Sequence, residues 1–392
     1  MNARWKLKPK SAVGLVIALA FGLRQSPAAL IAPVLMPAWI ALFTPLSSRA
    51  AQATSKYSNV ATDQEIILFP TIGYHPSVGK GWEVEIHGCV YEEEKHRIAI
   101  ALLRQALHFE NVNLTPAENA LFVKRTRLFM VDHERGKKVV VKADGKTVTL
   151  NKSLPDGQFF GTTHLPESAV TNIGVGTLML TTLLRTNDAR VFWAEVSLVG
   201  ETGVTVISDI DDTIKITQVR NRAAALRNTF LEPFKAVPGM AEVYQKWRQE
   251  TNAVFFYVSA SPWQLFLPLS DFILSAKFPE GPFFLKDFRW KDRTFFNLFE
   301  NPEKYKPKMI EPLLKRFPNR QFILVGDSGE SDPEIYGALA RRFPVQISRI
   351  FIREVTNDPN RNDRYNAAFF GVPKKVWYIF QNASEIKDAL AR

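Results

Sequence analysis

VISDIDDT, residues 206–213, is the stretch that decides the fold of the second half of the chain. Its apolar start is typical of a buried β-strand, and the strand runs directly into three carboxylates and a threonine. Ligands gather at the carboxyl ends of parallel strands. Two side chains that are two residues apart face the same way, so we expect Asp209 and Asp211 to share one pocket. Their like charges would require a cation or a proton there.

Buried strands and amphipathic helices alternate after residue 204. The strands are predicted at 205–207, 253–258, 321–325 and 349–352, and the helices at 240–250, 308–317 and 333–343. This alternation predicts an α/β domain with a parallel sheet over residues 201–392.

Residues 60–200 have a different pattern. Between residues 64 and 198, short apolar or alternating runs are separated by turn signals such as Asp144-Gly145 and Asp156-Gly157. That pattern predicts an antiparallel β-sandwich domain. Only residues 98–109 have a helical pattern, so we expect little helix in this half. The length of 392 residues suits two domains, and the absence of a long low-complexity linker predicts that they pack closely.

Polar residues follow two further predicted strands of the α/β domain. Ser259 ends the strand at 253–258, where its hydroxyl is placed to bind a phosphate oxygen. The loop GDSGESD, residues 326–332, follows the next strand and brings Asp327 and Asp332. Together these side chains would complete an oxygen-only cation site, and Mg²⁺ prefers such oxygen ligands. An Asp-x-Asp pair alone also fits a solvated turn, and Ser259 alone fits a strand cap.

Lys306 and Lys308 open the helix before that loop. One ammonium there would neutralise a nucleophile and the charge that develops in phosphoryl transfer. Either residue also fits a surface lysine.

The order and spacing of these residues resemble motifs one to four of the haloacid dehalogenase superfamily. SDIDDTIK at 208–215, SASPW at 259–263 and GDSGESDPEIY at 326–336 are similar to the actin-patch-protein type of phosphatidate phosphatase, which is related to lipins. The resemblance covers residues 200–355 well and the upstream half less specifically. It implies a Rossmann-like parallel sheet without a large cap.

The resemblance also implies roles for the residues. Asp209 would attack phosphorus, and Asp211 would protonate the leaving alkoxide and later activate water. Mg²⁺ would be held by the Asp209 side chain, the Asp211 backbone carbonyl and Asp327, with Asp332 as a supporting or alternative ligand. Lys306 fits motif three better than Lys308 because Ile310 follows it by four residues. The implied reaction converts phosphatidate to diacylglycerol.

Residues 214–238, between motifs one and two, are too short for a large cap, which predicts an open site. Phe230, Phe234, Trp263 and the basic-aromatic run 286–296 would let that site meet a phospholipid at a membrane surface. These aromatic residues fit a protein core equally well. Two other functions stay open: a phosphatase of soluble phosphomonoesters, and a non-catalytic lipid-binding or scaffold protein.

Composition narrows the partners and the chemistry. The net charge of +11 favours anionic partners, and the lack of a base-reading motif favours acidic lipid over nucleic acid. Nothing in the sequence identifies a protein partner. The single cysteine, Cys89, excludes an intrachain disulfide, and all six histidines precede Asp209. Chemistry in the second half therefore has to work without imidazole.

The first 55 residues are typical of a signal peptide or a membrane anchor. Four basic residues precede the apolar run 12–23, a second uncharged stretch covers 25–48, and Ala51-Gln52-Ala53 resembles a cleavage site. An apolar helix packed on the protein is the alternative. The pattern predicts a protein that is exported or associated with a membrane through this segment.

Overall fold

The structure is a computed structural model that describes residues 56–76, 79–93, 97–168, 176–286, 302–356 and 358–390. These residues belong to one compact unit, Ala53–Arg392. Within the described residues, the unit contains a nine-stranded sheet followed in the chain by a six-stranded parallel sheet. The predicted fold class is therefore confirmed. The domain boundary near residue 200 stays a prediction.

The nine-stranded sheet is here called the upstream sheet. Its strands are β1 (Gln64–Leu68), β2 (Thr71–Tyr74), β3 (Trp82–Glu92), β4 (Asp132–His133), β5 (Lys138–Ala143), β6 (Lys146–Lys152), β7 (Gln158–Leu165), β8 (Thr177–Thr182) and β9 (Trp193–Val199). Buried and half-buried residues alternate along β3 because its side chains point to opposite faces. Leu150 of β6 lies against Gly161 of β7, so the sheet folds over its own core.

One strand pair departs from the predicted antiparallel arrangement. β2 and β9 pair in parallel, whereas the other described pairs of this sheet are antiparallel. The two strands are far apart in the sequence, so no hairpin turn fixes their relative direction.

Two helices lie between β3 and β4, where the sequence predicted one. They are α1 (Arg97–Ala106) and α2 (Pro116–Thr126). The missed helix, α2, begins at a capping box in which the Thr115 hydroxyl and the Glu118 carboxylate satisfy each other's backbone N–H groups. Its hydrophobic periodicity is weak, so this capping signal was the available clue.

The parallel sheet has the strand order β12-β11-β10-β13-β14-β15. The strands are β10 (Gly203–Ser208), β11 (Val254–Pro262), β12 (Phe283–Lys286), β13 (Arg320–Asp327), β14 (Ile347–Arg353) and β15 (Trp377–Phe380). The helices of this half are α3 (Arg222–Phe230), α4 (Met240–Thr251), α5 (Phe266–Ser275), α6 (Pro302–Arg316), α7 (Asp332–Arg342) and α8 (Arg361–Ala368). Strands β12 and β15, at the two edges of the sheet, were not predicted.

Strand β10 lies at the centre of this sheet and explains why VISDIDDT positions the site. Val206 points into the hydrophobic cluster on one face of the sheet, and Ile207 points into the cluster on the other face. Burial on both faces is typical of a central parallel strand. Because β11 and β13 pair with β10 on either side, the segments that follow these three strands meet at one edge.

Aromatic residues join the upstream sheet to the parallel sheet. The ring of Phe69 lies 4.3 Å from that of Trp263, and the His87 ring lies 4.7 Å from Trp263. Phe230 is fully buried, and Phe234 is half-buried. Trp263 and Phe230 therefore pack inside the protein, as the alternative interpretation of these aromatics expected. Most of the run 286–296 lies outside the described residues.

The predicted localisation needs correction. No helix among the described residues has both the length and the apolar character to cross a bilayer. Residues 1–55, on which the prediction of a signal peptide or anchor rested, lie outside the described residues. The prediction of a protein exported or anchored through that segment is therefore wrong.

Arg320 joins the start of the parallel sheet to the segment that leads into it. The guanidinium is buried and donates hydrogen bonds to the Thr205 hydroxyl and to the carbonyls of Gly200, Thr202 and Val204. Arg320→Met would leave these acceptors unpaired, so we expect the free energy of unfolding to fall by about 2–4 kcal/mol in urea denaturation. Arg349→Met, at an exposed arginine of β14, should change it by less than about 0.5 kcal/mol. Equal losses for the two variants would contradict this role.

Candidate active site

Asp209 occupies the first position after β10 and is almost completely buried. Its backbone N–H donates to the Val325 carbonyl of β13 at 2.9 Å. The Thr213 hydroxyl donates to Asp209 Oδ2 at 3.0 Å, which fixes the direction of the carboxylate. The other oxygen, Oδ1, is buried and accepts no hydrogen bond.

Four carboxylates form a cluster around this oxygen, here called the acidic cluster. Asp209, Asp327, Glu330 and Asp332 each offer one oxygen, and these oxygens all lie within 4.8 Å of one another. Gly326 makes the approach possible, since a Cβ atom at that position would lie 2.2 Å from Asp332 Oδ2. The end of β13, the loop after it and the start of α7 therefore bring three of the four carboxylates to the end of β10.

The Lys306 ammonium lies within the acidic cluster. It is 3.0 Å from Asp209 Oδ1, 2.8 Å from Glu330 Oε2 and 2.5 Å from Asp332 Oδ1, and the side chain is fully buried. Lys308 is exposed on the same helix, α6. The structure thus brings the lysine preferred on sequence grounds to the cluster and leaves the other one in solvent.

Burial and repulsion raise the pKa values of the Asp209, Asp327 and Glu330 carboxyl groups. Burial raises the pKa of Asp209 well above its usual range, the Lys306 ammonium opposes this change, and the neighbouring carboxylates add to it. Burial, followed by the charges of Asp332 and Glu330, raises the pKa of Asp327 in the same direction. Burial alone would lower the pKa of Lys306, but the carboxylates outweigh it and hold that pKa well above the usual range. The Lys306 ammonium therefore offsets only part of the repulsion among the carboxyl groups of the cluster.

The residues of the acidic cluster fit a divalent cation. Asp327 Oδ2 is a buried oxygen that accepts no hydrogen bond, and Asp209 Oδ1 has the Lys306 ammonium beside it at 3.0 Å, so both oxygens have room for a further positive charge. The donor set consists of carboxylates, which suits a hard cation, and one ammonium does not balance four carboxylates. Asp209, Asp327 and Asp332 of the predicted ligand set lie in the cluster. The carboxylate of Asp211 does not, so its predicted metal role rests on the backbone carbonyl.

Asp211 has surroundings of a different kind. Its Oδ1 is 2.6 Å from Lys215 Nζ and accepts from the Thr217 hydroxyl at 2.7 Å. Its Oδ2 accepts from the hydroxyls of Ser261 at 2.9 Å and Ser259 at 3.2 Å. Burial acts to raise the pKa of Asp211, but the charge of Lys215 and these hydrogen bonds outweigh it and leave the pKa below the usual value.

Four residues of this region had no role in the sequence prediction: Glu330, Lys215, Thr217 and Ser261. Signals for some of them were present. Ser261 follows Ser259 by two residues on β11, a spacing that points both hydroxyls to one face, and Glu330 lies within the quoted loop GDSGESD. Lys215 is the last residue of the quoted stretch SDIDDTIK, whereas Thr217 has no comparable local signal, because a polar residue between apolar ones fits many exposed strands.

Asp212 holds the segment that follows the two aspartates. Its backbone has a φ of 56°, in the left-handed region that aspartate tolerates better than most residues. Its carboxylate accepts the backbone N–H groups of Thr217, Gln218 and Val219, at 2.8, 2.7 and 2.7 Å. Arg353 donates to the Asp212 carbonyl at 2.6 Å. The third carboxylate of VISDIDDT therefore shapes the loop and lies outside the acidic cluster.

This geometry separates two carboxylates by environment. Asp209 lies beside an ammonium, in a site that fits a metal ion. A carboxylate that attacks an anionic phosphoryl group needs such positive charge nearby. Asp211 is surrounded by hydroxyl and ammonium donors, which can orient a group that exchanges protons. Placing two carboxyl groups in contrasting environments is a general way to assign them different tasks.

Comparisons with known proteins find similarity over the segment that contains this site. Residues 204–354 match the family model described as "Phosphatidate phosphatase APP1, catalytic domain". The resemblance predicted from the motifs is thereby confirmed for this segment.

Two curated proteins are similar over the same part of the chain. "Phosphatidate phosphatase APP1" of Saccharomyces cerevisiae is 41% identical over 158 residues, which cover 40% of this chain and 26% of that protein. An uncharacterized protein of Schizosaccharomyces pombe is 31% identical over 173 residues, which cover 43% of this chain and 28% of that protein. The chain thus spans about a quarter of the length of the curated relatives it matches.

Among solved structures, a sialyltransferase from Photobacterium damsela aligns with 64% of this chain and 54% of its own. The TM-score is 0.23 and the identity is 11%. That similarity is too low to support any argument about fold or function.

The acidic cluster leads to a prediction about metal binding. Asp327→Asn should weaken Mg²⁺ binding by at least about tenfold in isothermal titration calorimetry, because it removes a charged ligand. Asp271→Asn is the matched control, since Asp271 is exposed on α5 and pairs with Lys124 away from the cluster. Unchanged affinity in Asp327→Asn, or an equal loss in the control, would show that the cluster does not bind the ion.

The hydrogen bonds of Asp212 lead to a second prediction. Asp212→Ala leaves three N–H groups without their acceptor, so we expect unfolding to become easier by about 2–3 kcal/mol. Hydrogen exchange should speed up most at the amides of residues 217–219. Asp212→Asn keeps an accepting oxygen and should show a smaller effect. Exchange that stays at the wild-type rate in Asp212→Ala would mean that other contacts hold this loop.

Proposed function

We propose that this chain is a Mg²⁺-dependent phosphatase that converts phosphatidate to diacylglycerol through an aspartyl-phosphate at Asp209. The observation that carries the proposal is a pair of aspartates, two residues apart at the end of one strand, each with its own ammonium. Asp209 lies beside Lys306, and Asp211 lies beside Lys215. The match of residues 204–354 to a phosphatidate phosphatase catalytic domain supports the choice of reaction and of lipid substrate.

In the first step, an oxygen of Asp209 forms a bond to phosphorus while the bond from phosphorus to the leaving alkoxide breaks. The Thr213 hydroxyl fixes the orientation of the Asp209 carboxylate, and the Lys306 ammonium offsets the repulsion between that carboxylate and the phosphate. Asp209, Asp327 and the Asp211 carbonyl would hold Mg²⁺, with Asp332 in support. The ion would neutralise phosphate charge and orient the phosphoryl group.

Asp211 exchanges protons in both steps of the proposed reaction. It donates a proton to the alkoxide in the first step and accepts one from the attacking water in the second. The contacts of Asp211 favour its ionised form, which is the form that the second step needs. A phosphate dianion bound nearby raises the pKa of a carboxyl group, and this change favours the protonated form that the first step needs.

A lipid substrate at a membrane surface fits the charge of the chain. The net charge of +11 attracts anionic phospholipid and raises its local concentration. A soluble phosphomonoester is the alternative substrate class. A non-catalytic scaffold has no use for a buried cluster of like charges, which costs stability to maintain.

Phosphate release from two substrates tests this proposal. Purified protein with Mg²⁺ is expected to turn over phosphatidate in vesicles faster than glycerol 3-phosphate or para-nitrophenyl phosphate. Asp209→Asn should lower the rate by at least about 10⁴-fold, since the nucleophile is lost. Asp363→Asn, at an exposed residue of α8, should retain the wild-type rate.

Each remaining outcome decides between functions. Faster turnover of the soluble esters would replace the lipid with a soluble substrate. If the wild type releases phosphate from none of these substrates, or if Asp209→Asn equals the wild type, the enzymatic proposal fails.

A further inference from the structure

Lys215 is a buried cation that the proposed reaction does not yet use. Only 1% of its surface is exposed, and its ammonium binds Asp211 Oδ1 at 2.6 Å and the Thr217 hydroxyl. Asp211 is the carboxylate paired with it among the described residues. A buried ammonium without a partner costs several kcal/mol, so this pairing is a strong constraint on both side chains.

The contacts around Asp211 fix its carboxylate in one orientation. Lys215 and Thr217 occupy Oδ1, while Ser259 and Ser261 donate to Oδ2. Donors on both oxygens prevent the carboxylate from rotating about its terminal bond. Among these donors only Lys215 carries a charge, and charge-assisted hydrogen bonds are about twice as strong as neutral ones.

The backbone of Lys215 is itself held from both sides. Its N–H donates to the Ile210 carbonyl at 3.0 Å, and its carbonyl accepts from the Asp212 N–H at 2.7 Å. It also forms an isolated bridge with Ala236. The Lys215 backbone, from which the side chain with the ammonium extends, is therefore fixed relative to the segment after β10 that contains Asp211.

An aromatic ring adjoins the ammonium and connects it to the upstream half. Lys215 Nζ lies 4.8 Å from the centroid of the Phe234 ring, and Arg125 Cζ lies 3.8 Å from the same centroid. Arg125 belongs to α2, is buried, and donates to the carbonyls of Thr229 and Glu232 at 2.8 and 2.5 Å. The upstream half thus holds the segment that covers Lys215.

We propose that Lys215 is a positioning residue for Asp211, and that Phe234, held by Arg125, keeps the ammonium in place. This inference rests on the proposed function, because it assigns Lys215 a role in the proton transfers of Asp211. In the first step the carboxyl proton of Asp211 moves to the alkoxide oxygen as the P–O bond breaks and the bond to Asp209 forms. Lys215 keeps its own proton and fixes where the carboxyl group lies.

The role predicts an effect that depends on the leaving group. The alkoxide leaving from phosphatidate is strongly basic and needs the proton of Asp211, whereas para-nitrophenolate leaves without one. Lys215→Met should lower kcat for phosphatidate by about 10²-fold or more, with KM changed little. Release of para-nitrophenol in the first turnover should change by less than about tenfold. Lys215→Arg should recover part of the lost rate on phosphatidate.

A double-mutant cycle separates this role from a purely structural one. If Lys215 acts through Asp211, adding Lys215→Met to Asp211→Asn should cost little further activity. The double variant removes both charges of the buried pair, so it also decides the matter if Lys215→Met alone does not fold. Lys235→Met, at an exposed lysine of the same segment, should match the wild type.

Three results would overturn the inference: wild-type kcat in Lys215→Met, equal losses on both leaving groups, or losses that add to those of Asp211→Asn. Each requires wild-type turnover that Asp209→Asn abolishes, so each differs from a failure of the proposed function, in which the wild type releases no phosphate or Asp209→Asn equals the wild type.

Discussion

Repulsion among buried carboxylates at the end of β10 is the constraint on which this half of the molecule depends. Asp209, Asp327, Glu330 and Asp332 each bring one oxygen within 4.8 Å of the others, and the Lys306 ammonium pairs with three of these residues. Several features keep the groups together despite this cost. The parallel sheet brings the ends of β10 and β13 to one edge, and Gly326 leaves room for Asp332. The residues of such a site fit a divalent cation.

A second buried charge pair makes the two aspartates of the motif different from each other. Lys215 and three hydroxyls surround Asp211, whereas Asp209 faces the acidic cluster. The segment between motifs one and two, residues 214–238, therefore supplies part of the surroundings of Asp211. Its Phe234 adjoins Lys215, and Arg125 of the upstream half holds Phe234 in turn. This connection gives the upstream half a physical link to the proposed proton-transfer group.

The sequence predicted the features that depend on local pattern. The strand in VISDIDDT, the alternation of strands and helices after it, and the acidic loop after β13 follow from periodicity and polar strand ends. It missed α2, whose hydrophobic pattern is weak, and the edge strands β12 and β15, which are only four residues long. It gave no role to Lys215, since burial of a lysine depends on tertiary contacts that no local pattern encodes. The predicted membrane anchor was wrong: no helix among the described residues could cross a bilayer, and residues 1–55 lie outside them.

The most direct test of the account is to trap the covalent intermediate. Protein mixed with ³²P-labelled phosphatidate and Mg²⁺ is quenched in acid within the first turnover, and the labelled peptide is identified by borohydride reduction and mass spectrometry. The account predicts an acid-stable acyl phosphate on Asp209, with no label on that peptide in Asp209→Asn. Label on another residue, or phosphate release without any labelled protein under these conditions, would contradict the assignment of Asp209 as the nucleophile.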